Sequence, residues 1–272
     1  MPRIPVTDDA SVFVQDLGDG PAVLFLHGGC MSHSVWESQV CALGEAGYRV
    51  VTPDLRGHGD SDAPESPYTA EMYAADVATI ADELTLDSFT LVGWSLGATI
   101  ALTYAGEHAD RLDGLVLVSS SIFERLAPDN DPAEFDLPLE AMLANQRRNR
   151  PQGMERFVAG MFADEPDEWA LRWLWDVGMQ TPIRVALKTL RIYEEPDVER
   201  FRETLRTLSV PGAVFHGGQD HAATLSEAES IATDLLSDGT FVPFADSGHV
   251  PFIEESARFD EQLRAFLETI DR

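Results

Sequence analysis

The sequence predicts an α/β domain: a mostly parallel sheet of eight strands with flanking helices, interrupted by a helical insertion. Two observations carry this. Along most of the 272 residues, short apolar runs alternate with amphipathic stretches, the pattern of a sheet whose strands are joined by crossover helices. Between Ser121 and Ser209 the alternation lapses into helical periodicity, and it resumes at Val210. The length fits one large domain, with residues 1–120 and 210–272 as its core and 121–209 as a cap.

The expected strands are Arg3–Thr7, Ser11–Asp16, Ala22–Leu26, Tyr48–Thr52, Phe89–Val92, Gly114–Val118, Gly212–Phe215 and Thr240–Phe244. The first two read as a hairpin closed by Asp8-Asp9. The others are rich in Val, Leu, Ile and Phe, as strands buried on both faces must be. Helical spacing marks Val35–Ala46, Ala70–Leu84, Leu96–His108, Leu225–Leu236 and Glu254–Ile270. In the last of these, Phe259, Leu263, Phe266, Leu267 and Ile270 form one apolar face. After Val118, the stretch Ser119–Pro138 is rich in Pro, Asp, Ser and Asn and reads as a loop. Helices follow from about Leu139 to Leu208, with starts at Asp167 and Thr181-Pro182, and with Pro196 in a first helical turn. Trp169, Trp173, Trp175, Met161, Phe162 and Met179 make this region apolar. Most of them should pack the helices together, and some could roof a pocket.

Composition narrows the function. With 47 acidic against 19 basic residues the formal net charge is −28, which excludes a general binder of nucleic acid or anionic membrane. Two cysteines cannot make a disulfide scaffold, so Cys30 and Cys41 read as free thiols, and no Cys/His cluster has metal-site spacing. The start, MPRIPVTDDA, has no apolar secretory core, and no apolar run is long enough to span a bilayer. A cytoplasmic protein is expected. Eighteen of the basic residues are arginine and only Lys188 is lysine. Two explanations stand: the codon bias of a GC-rich genome, or adaptation to a salty cytoplasm in which self-repulsion is screened.

Chemistry concentrates at strand ends. Gly93-Trp94-Ser95-Leu96-Gly97 fits G-x-S-x-G between a strand and a helix, a turn that holds a serine above the sheet edge at a helix N-terminus. Serine needs a base. Of the seven histidines, His249 lies between the last strand and the last helix, on the same sheet edge as Ser95. Asp220, after strand Gly212–Phe215, reaches that edge too and can hold the second imidazole nitrogen. Asp246 is nearer His249 in sequence, but Gly248 suggests a turn that parts them. Candidate oxyanion donors are the backbone N–H groups of Gly29, in His27-Gly28-Gly29-Cys30, and of Leu96. His27 reads as a structural hydrogen-bonder.

Taken together, HGGC, DLRGHGDSDAP at Asp54–Pro64, GWSLG, HGGQD and SGHVPFIEE at Ser247–Glu255 resemble the α/β-hydrolase fold superfamily. The nearest branch by motif is that of small esterases, cofactor-free haloperoxidases (perhydrolases) and lactonases. The resemblance covers nearly the whole chain outside the insertion, which corresponds to the family's variable helical lid. It marks the loop at Asp54–Gly59 as structural. Cys30 stands where many relatives have proline, and His221-Ala222-Ala223-Thr224 lack a proline often seen there. The function expected is a serine hydrolase of a small acyl substrate, with triad Ser95, Asp220 and His249 and no metal or organic cofactor. Perhydrolase or lactonase chemistry on the same triad is the alternative, and a non-catalytic receptor on this fold is the competing class.

Overall fold

The computed structural model describes residues 3–65, 67–128, 139–194 and 196–270. Eight strands form one sheet in the order β1-β2-β4-β3-β5-β6-β7-β8. They are β1 (Arg3–Thr7), β2 (Ala10–Leu17), β3 (Ala22–Leu26), β4 (Arg49–Pro53), β5 (Phe89–Trp94), β6 (Leu112–Val118), β7 (Gly212–Gly217) and β8 (Gly239–Phe244). Every expected strand is present, with ends moved by two residues or fewer. β1 and β2 are the expected antiparallel hairpin, and β2 runs antiparallel to β4. From β3 through β8 all pairing is parallel.

The side-chain period of two divides the core. Leu24 and Leu26 of β3 join Leu91, Leu115 and Leu117 on one face, while Val23 and Phe25 join Val92, Val116 and Phe215 on the other. The first face is covered by α2 (Ala70–Glu83) and α3 (Leu96–His108). The second is covered by α1 (Glu37–Glu45) and by α12 (Ser256–Ile270), which buries Phe259, Leu263, Phe266 and Leu267 as its spacing requires. Helix α3 is enclosed from Leu96 through Ala105, because it is packed at once against β5, β6, α2 and the helix at Val198–Thr207.

Among the described residues, six α-helices separate β6 from β7: α4 (Ile122–Leu126), α5 (Leu139–Arg148), α6 (Arg150–Ala159), α7 (Glu168–Gln180), α8 (Ile183–Leu190) and α9 (Val198–Thr207). Two expectations need correction. Ser119–Pro138 is not all loop, since Ile122, Phe123 and Leu126 are buried and wind α4; residues 129–138 lie outside the described residues. Pro196 is not in a first turn, because the Asp197 carboxylate caps α9 from the Arg200 N–H at 3.1 Å. Of the six aromatic and Met residues expected mostly to pack, Met161 and Phe162 are buried and Trp173, Trp175 and Met179 pack against the core, while Trp169 is the exception at 61% exposed, stacked against Trp173. The starts of α7 after Asp167 and α8 after Pro182 match.

Past β7 come α10 (Leu225–Ser230), continued by a wider π turn over Ile231–Leu235, and α11 (Pro251–Glu254). The expected helix Glu254–Ile270 therefore begins at Ser256, after a break at Glu255. Among the described residues no helix is long and apolar enough to cross a membrane.

Candidate active site

Ser95 stands between the last residue of β5 and the first of α3, with φ 56° and ψ −113°. That backbone conformation is strained for a residue with a Cβ. The flanking glycines make it possible. A Cβ on Gly93 would collide with the Gly97 carbonyl oxygen, and one on Gly97 with the Leu26 carbonyl oxygen. The Ser95 N–H donates back to the carbonyls of Val118 and Ser119 at 3.0 and 3.1 Å, which pins the turn to the end of β6.

Asp220 follows β7 and is nearly closed off from solvent, its side chain 3% exposed. One carboxylate oxygen accepts the Ala222 N–H at 2.9 Å, and the other faces His249 Nδ1 at 2.9 Å. Burial works against the carboxylate's charge, but the His249 and His216 rings and the Ala222 N–H outweigh it, so its pKa falls below the usual carboxylate range. The same Oδ2 lies 3.8 Å from His216 Nδ1. The His216 ring is buried, donates from Nε2 to the Ala223 carbonyl at 2.9 Å, and has its pKa lowered first of all by burial. Asp246 is exposed.

The His249 loop is tied from several sides. Its N–H donates to the Met161 carbonyl at 2.6 Å, and the Trp94 indole donates to its carbonyl at 2.8 Å. Glu254 accepts from the Gly248 N–H at 2.7 Å and from the Ala163 N–H at 2.9 Å. A Cβ on Gly248 would press on the Met161 carbonyl oxygen at 2.6 Å. This loop is thus joined directly to the segment between α6 and α7.

Ser95, Gly29, Leu96, Asp220 and His249 all border one cavity of about 430 Å³. As the first residue of α3, Leu96 has a backbone N–H without an intrahelical acceptor. The segment between β6 and β7 also lines it, with Gln146, Phe157 and Leu190 from the helices, Met161 after α6 and Tyr193 after α8. Of these the sequence singled out only Met161. Tyr193 is buried, and its phenol sits among the hydroxyls of Thr99, Ser95, Ser121 and Ser120; burial raises its pKa against their opposing pull. No local motif marks Tyr193 or Gln146. A second cavity of about 370 Å³, against Tyr68, Thr103 and Arg200, contains none of the predicted site residues.

The remaining candidates are structural. His27 bonds the Gly28 carbonyl through Nδ1 at 2.8 Å and accepts the Leu55 N–H on Nε2 at 2.9 Å. Burial drives its pKa down to about 4, fixing a neutral ring. Asp54 accepts from His33 and Asp60 backbone N–H groups, both at 2.7 Å, and so wraps its own loop. Cys30 and Cys41 are free thiols; Cys30 borders the cavity, and burial pushes it up to about 11, leaving it an unreactive thiol. Among the described residues no three His, Cys, Asp or Glu side chains gather as a metal-ligand group.

A model of the alpha/beta hydrolase fold family matches residues 21–256. The chain belongs to that family. It is similar to the AB hydrolase superfamily protein YisY of Bacillus subtilis (strain 168), 28% identical over 97% of each chain. It is also similar to a non-heme haloperoxidase of Rhodococcus erythropolis, 27% identical over 99% of this chain and all of that one. Among solved structures, an esterase from Exiguobacterium antarcticum superposes with a TM-score of 0.89 at 26% identity, covering 98% of both chains. The fold, the family and the relatives make this chain a hydrolase of the α/β type.

Proposed function

We propose that the protein cleaves a carboxylic ester or similar small acyl substrate through Ser95, His249 and Asp220 by way of an acyl-enzyme. The observation that carries the reading is the 2.9 Å contact of Asp220 with His249 Nδ1, in a cavity that Ser95 also borders. With Nδ1–H given to the carboxylate, the imidazole keeps its Nε2 lone pair free as a base. His249 then takes the Ser95 proton as Oγ attacks the carbonyl carbon. The developing oxyanion is held by the N–H groups of Gly29 and Leu96, at the positive end of α3. The tetrahedral intermediate collapses as His249 protonates the leaving alcohol. Water, deprotonated by His249, attacks the acyl-enzyme and releases the acid. Asp220 stays ionised throughout, in keeping with its lowered pKa.

In this reading residues 121–209 are a cap, and the side chains of α5, α6 and α8 set the shape of the acyl pocket. The steps of this reading use only side chains and backbone groups of the chain itself. Similarity to the Rhodococcus haloperoxidase favours one variant, in which hydrogen peroxide replaces water on the same acyl-enzyme and a peracid leaves.

A fluorophosphonate probe tests the proposal together with a nitrophenyl ester assay with and without peroxide. Wild type should label and turn over, and Ser95→Ala should do neither while keeping its melting temperature. Equal labelling or hydrolysis by Ser95→Ala would overturn the assignment.

A further inference from the structure

Gln146, on α5, is only 6% exposed and borders the same cavity as Ser95 and His249. Its Oε1 is buried and accepts no hydrogen bond among the described residues. A buried acceptor left without a donor costs about 1–3 kcal/mol, and native proteins keep few of them. The same segment lines the cavity with apolar Phe157, Met161 and Leu190 and with polar Ser121, Arg156, Thr189 and Tyr193, none of which bonds Gln146 Oε1. For packing alone, leucine would fill this position without that penalty. The cavity is the space from which a donor can arrive.

We propose that Gln146 Oε1 accepts a hydrogen bond from the substrate, which is therefore an ester or lactone bearing a hydroxyl or amide N–H rather than a plain alkyl ester. This inference rests on the Ser95 reading and adds a substrate class to it. A site built to bond a substrate hydroxyl discriminates strongly against the analogue that lacks it, because the protein group is then left buried and unpaired. A hydrophobic slot shows no such preference.

The test is a panel of matched substrates. On the acyl side these are nitrophenyl esters of butyrate, 2- and 3-hydroxybutyrate, the corresponding methyl ethers, and N-acetylglycine. On the alcohol side they are ethyl, 2-methoxyethyl and 2-hydroxyethyl butyrate. At least one donor-bearing member should exceed both its alkyl and its ether analogue in kcat/KM by about tenfold. Gln146→Leu should erase that advantage, read within the variant as the kcat/KM ratio of the donor-bearing ester to its alkyl and ether analogues. Gln146→Glu, which keeps an acceptor, should retain it. The melting temperature of Gln146→Leu should hold or rise, since an unpaired acceptor has been removed.

Three results would overturn the inference: no donor preference in wild type, a preference that survives Gln146→Leu, or a clear fall in that variant's melting temperature. An ether as good as its hydroxyl partner would show the amide presenting its NH2 group, and would overturn the donor assignment. Loss of the underlying reading looks different. There, Ser95→Ala would keep its turnover on every substrate, whereas a flat panel with Ser95-dependent turnover rejects only the role of Gln146.

Discussion

Acidification should take stability away from this protein through two histidines that take no part in the proposed chemistry. His58 is wholly buried, its Nδ1 facing the Arg56 carbonyl at 3.1 Å and its Nε2 without a partner among the described residues. Its ring centre is 5.2 Å from that of His27. Burial first, and then the neighbouring His27, lower its pKa to about 3. The value of His27 is about 4. In the unfolded chain both titrate near 6.5. Between pH 6.5 and 4 the unfolded chain therefore binds protons that the folded protein refuses, and stability falls as pH falls. Each histidine contributes a slope of about 1.4 kcal/mol per pH unit in that window. From pH 8 to 4.5, His58 alone removes about 2.7 kcal/mol, a large part of the roughly 5–15 kcal/mol that holds a domain folded.

Other groups pull the opposite way, so the wild-type curve alone cannot isolate this effect. His33 has a raised pKa: burial lowers it, but the Asp54 hydrogen bond and nearby carboxylates prevail, and the stability it adds is present below pH 6.5 and lost as pH rises through its folded value. Asp76, Glu254 and Asp260 are raised by burial and gain stability on acidification. The −28 charge is also relieved. The comparison is therefore between wild type and His58→Asn, which keeps a donor for Arg56 but no ionisable ring, by urea unfolding from pH 8 to 4.5. The stability difference, wild type minus variant, should shrink by about 2–3 kcal/mol across that range. Parallel curves would refute the reasoning.

Asp220→Asn should lower ester turnover about 10⁴-fold by disturbing the imidazole tautomer, whereas exposed Asp246→Asn should change it little; steady-state kinetics of both variants decide, and a crippled Asp246→Asn would reverse the assignment. Gly97→Ala drives a methyl into the Leu26 carbonyl, and should lower the melting temperature by many degrees or prevent folding; a wild-type melt would show that the elbow can relax. With 47 carboxyl side chains against 19 cations, a salt-adapted protein should gain melting temperature in KCl well past the few hundred millimolar at which simple screening saturates. A flat response up to molar salt would leave codon bias as the account of its composition.

What the sequence made legible depends on how locally each feature is encoded. Ser95, Asp220 and His249 each lie within a few residues of a strand end, and parallel strands carry such ends to one edge, so no knowledge of packing was needed to bring them together. Gln146 and Tyr193 reach the same cavity from α5 and from the turn after α8. Helical periodicity told that those segments wind, but which face meets Ser95 is fixed only when the helices dock on one another. The five residues of α4 were hidden by the Asp, Pro and Ser around them, although Ile122, Phe123 and Leu126 carry its apolar spacing. Sequence could not say which of the six aromatic and Met residues would be left uncovered, because a tryptophan in an apolar run looks the same whether or not anything covers it, and Trp169 is the one left exposed.

Backbone strain was only partly legible, and its distribution is informative. Among the described non-glycine residues, Cys30, Thr85, Ser95 and Ser119 have positive φ. Three of the four follow the neighbouring strands β3, β5 and β6 at the sheet edge that bears the candidate site. Only Ser95 was announced by its flanking glycines. Ser119 works with it: its carbonyl accepts the Ser95 N–H at 3.1 Å, and its own N–H donates to Phe215 on β7 at 3.0 Å. The elbow is therefore braced by a second strained turn, which is in turn anchored to the strand that leads to Asp220. Strain of about 1–3 kcal/mol per residue persists only where surrounding bonds over-determine it. Here those bonds run from β5 through β6 to β7, so the geometry of Ser95 is coupled to the strand that carries its proposed partner.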